Sequence, residues 1–212
     1  MKEKIKGGKP GDYIVTEQSG TISVLFIRAL KENILTLEEI SAPADKIKPS
    51  KISWQDWINK GAPLASAWTL YELDVNEGKL QKCYSFLQKK WIRLDDSEYF
   101  FGKLITLPLT KVQNAERKKI GAAPLKGEED VRSPWNPPHF VNGQKKEKPT
   151  FEAFKTHWPK DKTDLSECAL ELYFDEKNKT FPFPYWLEVK GGHYTFKMRT
   201  LDSGSGLTSS KK

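Results

Sequence analysis

Apolar and polar residues alternate with period two over 12–18, 21–30 and 33–40, and the breaks between these runs, Ser19-Gly20 and Lys31-Glu32, are short and polar. Alternation bounded by turn residues predicts half-buried strands joined as antiparallel hairpins. The rhythm returns over 66–75 and 80–88, on either side of Asn76-Glu77-Gly78, and again over 107–112 and 167–174. Apolar groups on both faces of the 66–75 and 80–88 pair predict a central place in the sheet. Pro108, which has no amide hydrogen to donate, predicts an edge for 107–112.

Three stretches change to the helical period. Ser53 stands three residues before Asp56 as a capping signal, and Trp54, Trp57 and Ile58 then share one side of a short helix closed by Lys60-Gly61. A second helix is expected from Asp96 or Ser97 through Phe100, Phe101, Leu104 and Ile105. A third is expected over 150–158, with Phe151, Phe154, Lys155 and Trp158, ended by Pro159. Together these elements predict a β-rich α+β domain: a bent antiparallel sheet or incomplete β-barrel, with three to four short helices covering one mouth.

The most patterned stretch is FPFPYWLEVKGGHYTFKMR, residues 181–199. A two-residue turn at Gly191-Gly192 would set Lys190 opposite His193 and Val189 opposite Tyr194. Tyr185, Leu187, Val189, Tyr194, Phe196 and Met198 then form one continuous apolar face. Trp186 is left on the polar face opposite Lys197.

One domain over 11–202 accounts for these elements, with flexible tails over 1–10 and 203–212. Inside it, 122–150 has no periodicity and holds prolines at 124, 134, 137, 138 and 149. A structureless stretch of that length is commonly a lid or a binding loop. Its segment from Arg132 through Trp135 to His139-Phe140 is stiffened by prolines and offers a guanidinium and aromatics to a partner.

Charge narrows the function. The 212 residues carry a formal charge of +7, but five of the excess positive charges lie in the two tails, on Lys2, Lys4, Lys6 and Lys9 against Glu3 and on Lys211 and Lys212. A nucleic-acid footprint requires lysines gathered on one folded face, so this distribution argues against nucleic acid. The longest apolar run, residues 24–27, suits a buried strand and predicts no transmembrane segment. The start is lysine-rich without the apolar stretch of a signal peptide, which leaves an exported, periplasmic protein with its signal removed or, alternatively, a cytoplasmic one. Cys83 and Cys168 sit in strand-like runs as small buried hydrophobes, and their pairing is left open. Two cysteines and three histidines without a ligating spacing predict no metal. No cofactor loop is present, and a monomer is expected.

Catalytic signatures are sparse. His157, four residues before Asp161, is the best placed histidine for a hydrolase. Leu201-Asp202-Ser203-Gly204 looks like the Asp-Ser/Thr-Gly turn of aspartic proteases, but that family needs a second carboxylate and this chain has one copy. In overall plan, the strands in sequence order, the short aromatic helices, the rigid loop and the final meander FDEKNKTFPFPYWLEVKGGHYTFKMR resemble the periplasmic lipoprotein carrier and related lipid-binding half-barrels. That family commonly opens with a helix, where this reading opens with strands. The resemblance covers most of the chain, contains no diagnostic motif and carries over no residue. It implies a curved sheet holding acyl chains beneath a lid of short helices, without catalysis. The expected function is therefore non-enzymatic binding or transport of an apolar or amphipathic ligand, a lipid or lipoprotein of the cell envelope. Trp54, Trp57, Trp135 and Trp186 would line the site, and Arg132 would meet an acidic headgroup. The alternatives are a protein-interaction module using the 132–140 loop and a hydrolase using His157 or Asp202.

Overall fold

Tight turns set the register of the first half of the sheet. A computed structural model describes residues 1–47, 52–93, 99–191 and 194–211, with the Tyr194 side chain excepted. Strands β1 (Tyr13–Gln18) and β2 (Thr21–Lys31) meet with Gln18 opposite Thr21. The two residues between them, Ser19 and Gly20, have φ of 49° and 80°, the left-handed pair whose twist matches that of antiparallel strands. β2 returns to β3 (Ile34–Pro43), which pairs with β4 (Ala67–Asp74), then β5 (Lys79–Ser85) and the two-residue β6 (Lys90–Trp91).

A second meander fills the other half of the chain. It begins with β7 (Thr110–Lys111); β8 (Phe140–Val141) and β9 (Gln144–Lys145) form a separate small hairpin. β10 (Phe151–His157), β11 (Ala169–Asp175), β12 (Trp186–Gly191) and β13 (Tyr194–Gly204) follow. The first and last long strands, β1 and β13, pair antiparallel and weld the two meanders into one eleven-stranded sheet, in the order β6-β5-β4-β3-β2-β1-β13-β12-β11-β10-β7. The sheet does not close into a barrel: among the described residues its outer strands β6 and β7 do not pair with each other.

Three short helices accompany it, α1 (Lys2–Gly7), α2 (Trp54–Asn59) and α3 (Phe100–Thr106). None is long and apolar enough to cross a membrane. Two apolar cores result. One gathers α1, α3 and residues from both meanders, among them Leu37, Leu73, Leu172 and Val189. The other lies on the opposite face of β1–β4, where α2 brings Trp54 and Trp57 against Val24, Phe26 and Trp68.

Several expectations need correction. Residues 151–157 are a strand, not a helix: Phe151 and Ala153 are buried alternately and the run pairs with β11 along its length. Phe151, Phe154 and Trp158 stand at the helical spacing i, i+3, i+7, and pairing with β11 overrides that spacing, so Phe151 and Phe154 fall on opposite faces of the strand. β4 and β5 lie near the sheet end rather than centrally, with only β6 beyond them. The final hairpin sets Lys190 opposite Thr195 and Val189 opposite Phe196. That displacement of two residues preserves the apolar face, because side chains alternate with period two. Gly192 and His193, the expected turn positions, lie outside the described residues, as do Asp96 and Ser97. Toward the two ends of the chain, Ile5 of α1 and Ser203 are fully buried, and Leu207 joins the second core. β7 does occupy the sheet edge, as Pro108 implies. Both cysteines are buried and free.

The weld between β1 and β13 has a polar bolt. Val15 faces Asp202 and Thr16 faces Thr200, so Leu201 bulges out of register. The buried Asp202 carboxylate accepts hydrogen bonds from the Tyr13 hydroxyl at 3.2 Å, the Trp54 indole N–H at 3.0 Å and the Gly143 amide at 2.9 Å. One side chain thereby ties the seam to α2 and to the β8–β9 hairpin. Asp202→Ala, which strands these donors, is expected to lower unfolding free energy by about 3 kcal/mol in urea titrations; a loss below about 0.5 kcal/mol would show that the bolt is dispensable.

Candidate functional site

Alternation along β2 sends Ile22, Val24 and Phe26 into the core beneath α2 and leaves Thr21, Ser23 and Leu25 on the opposite face. There they meet Ile14, Thr16 and Gln18 of β1 and Glu39 of β3 in a cavity of about 440 Å3. α3 and the residue before it supply the facing wall through Tyr99, Phe100, Phe101 and Leu104, while Phe183, Pro184 and Met198 close one side. Phe100 is held by a parallel stack on Trp158, ring centres 5.4 Å apart. The cavity is thus greasy beneath α3 and hydroxyl-lined toward the β1–β2 turn.

α3 can approach the sheet because glycine meets glycine. A Cβ on Gly102 would fall on the Gly78 carbonyl oxygen, and one on Gly78, whose φ is +68°, would fall on the Gly102 carbonyl. Neither position has room for a side chain.

Two adjacent carboxylates occupy opposite faces of β3. Glu38 is fully buried on the α2 side, where it accepts from the Trp68 indole N–H at 2.7 Å, from Ser209 at 2.9 Å and from Arg28 at 3.2 Å. Glu39 faces the cavity. Burial pushes its carboxyl above the usual range, and the Ser23 and Tyr71 hydroxyls offset this in part. Beside it, Tyr71 stacks on Tyr99 with ring centres 4.4 Å apart. Burial, with Glu39 next in effect, raises both phenols, so they remain protonated donors. Cys83, opposite Tyr71 in register, is likewise pushed up by burial and by Glu39, the reverse of an activated thiol.

The residues expected to bind ligand lie elsewhere. Trp54 and Trp57 are core, their indole N–H groups committed to Asp202 and to the Pro63 carbonyl. Trp135 and Trp186 do come together, in an edge-to-face pair at 5.2 Å, with Tyr173 against Trp135 at 5.3 Å. Both are partly exposed and neither lines the cavity. Arg132 is turned onto Asp130 at 2.8 Å and the Gly121 carbonyl, and its hydrogen bonds hold the Asp130 carboxyl at about 2. His157 is exposed on β10, and among the described residues no hydrogen bond or ion pair joins it to Asp202. No group of three or more His, Cys, Asp or Glu there is arranged to hold a metal.

The organiser of the long loop is Arg117, a residue without any motif around it. Its buried guanidinium donates to the Phe151 and Trp135 carbonyls at 2.9 and 2.8 Å and to Asn136 at 2.7 Å. His139 is the second anchor, packed edge-on against Tyr185 at 4.5 Å and against Phe151; among the described residues its Nε2 makes no hydrogen bond and lies 3.8 Å from an Asp175 carboxylate oxygen. Burial lowers its pKa below 6.5, opposed by Asp175 and assisted by Lys146.

A family model described as CT021 protein matches residues 23–147, from β2 through α3 to the β8–β9 hairpin. No curated protein matches. A 2.0 Å structure of the hypothetical protein CT021 from Chlamydia trachomatis is similar in fold, with a TM-score of 0.68 and 22% identity over 99% of this chain and 94% of that chain. The match over more than half of its length shows that the chain belongs to the CT021 family.

The buried neutral His139 sets a pH dependence. Below pH 6.5 the unfolded chain takes up a proton that the folded chain refuses, so stability falls with pH until the lowered folded pKa is passed. Urea midpoints between pH 7.5 and 5 should fall in wild type and fall less in His139→Phe, which keeps the ring contacts; parallel curves would show that His139 does not titrate in this way.

Proposed function

We propose that this member of the CT021 family binds an apolar or amphipathic ligand, a lipid or the lipid portion of a lipoprotein, between α3 and β1–β2, and does so without catalysis. The supporting observation is the cavity: about 440 Å3 of space at the centre of the sheet, greasy at one end and hydroxyl-lined at the other. Its size falls within the range of small-molecule sites. Because both meanders share one core with α3, we take the sheet to be bent around the helix as an incomplete barrel. This is the arrangement expected of a lipid-binding half-barrel with a helical cover, and on that likeness we place the protein in the cell envelope, exported with its signal removed and acting as a monomer.

A second reading has its own observation. The partly exposed Trp135–Trp186 pair, with the Lys118 ammonium 5.1 Å from the Trp135 ring centre, suits a protein partner docking on the 132–140 loop.

Native mass spectrometry on protein purified from its own cells is expected to show a bound amphipath. Met198→Trp, which fills the cavity, should remove that mass and change stability by less than about 2 kcal/mol. A clean ligand-free mass, with no uptake of decyl amphipaths by the wild type, would leave only the docking surface.

A further inference from the structure

The cavity is lined by a single carboxyl group. Among the described residues lining it, Glu39 is the one ionisable side chain that is charged when deprotonated near neutrality; the rest are apolar, hydroxyl or amide groups. No lysine or arginine among the described residues forms an ion pair with it, whereas its neighbour Glu38 has Arg28 at 3.2 Å. The groups facing Glu39 from every packed element are neutral: Ser23 of β2, Tyr71 of β4, Cys83 of β5 and Tyr99 ahead of α3. A carboxylate in such a place is poorly solvated and lacks a counterion. Of the stacked Tyr71 and Tyr99 rings beside it, Tyr99 also lines the cavity.

We propose that the cavity selects single-chain amphipaths with an ammonium headgroup, the Glu39 carboxylate serving as counterion beside the Tyr71–Tyr99 stack. The alkyl chain lies toward Leu25, Leu104 and Phe183. An anionic headgroup meets like charge at the same point and is rejected, so Glu39 supplies attraction and exclusion together. The charge of a bound cation also opposes the burial that holds the carboxyl above its usual range, favouring the ionised form. The inference rests on the cavity being a ligand site, and sharpens that reading to a headgroup class.

The test is calorimetric titration of the full chain with decyltrimethylammonium, decanoate and decyl maltoside, each below its micelle concentration. Wild type should bind the ammonium about tenfold or more tighter than decanoate. Glu39→Gln should lose that preference while still binding decyl maltoside as wild type does, which also reports that the variant is folded. In wild type the preference should fade as pH falls and Glu39 protonates. Equal affinities for all three headgroups, or a preference for decanoate, would overturn the headgroup assignment and leave the carrier reading standing. Binding of none of them would overturn both.

Discussion

The pairing of β1 with β13 is the constraint on which the rest depends. The core that holds α3 draws its residues from both meanders. Joining strands nearly two hundred residues apart in sequence carries the largest loop-closure entropy in the fold. Contacts from several elements offset it at one point, where Tyr13, Trp54 and the Gly143 amide converge on Asp202. The feature that looks like a protease turn in the sequence is the structural junction of two meanders, and its carboxylate accepts three hydrogen bonds there.

From that junction the two faces of the same strands take different roles. β2 sends Val24 and Phe26 to a packed core with Trp54 and Trp57 and gives Ser23 and Leu25 to a cavity. β3 does the same with two neighbouring glutamates. Glu38, surrounded by Arg28, Trp68 and Ser209, fastens the C-terminal segment to the sheet. Among the described residues, Glu39 has hydroxyls and rings around it but no ion-paired cation. Burial raises the proton affinity of both; the difference lies in what offsets that burial. The function argued for this protein lives in that difference, and the Gly78–Gly102 contact that lets α3 close over Glu39 belongs to the same device.

Much of the fold was legible in alternation and turn chemistry. Ser19-Gly20 announces the first hairpin, and Ser53 caps α2 through the Asp56 amide as its spacing implies. Residues 151–157 carry Phe151 and Phe154, with Trp158 just beyond, at helical spacing, and it is the non-local pairing with β11 that makes the segment a strand. The site was less legible. Tryptophans draw attention as ligand contacts, yet Trp54 and Trp57 are what a small core needs to fill its volume. Thr16, Ser23 and Glu39 read as the solvent face of ordinary strands, and nothing local says that α3 will cover them. Arg117 is invisible for the same reason: its acceptors on Trp135, Asn136 and Phe151 lie eighteen to thirty-four residues away.

Hydrogen–deuterium exchange with and without a saturating decyl amphipath bears most directly on this account. It predicts slower exchange in α3 and along residues 21–25 of β2, with the 132–140 loop unchanged. Protection confined to that loop, with α3 and β2 unaffected, would contradict the cavity as the working site.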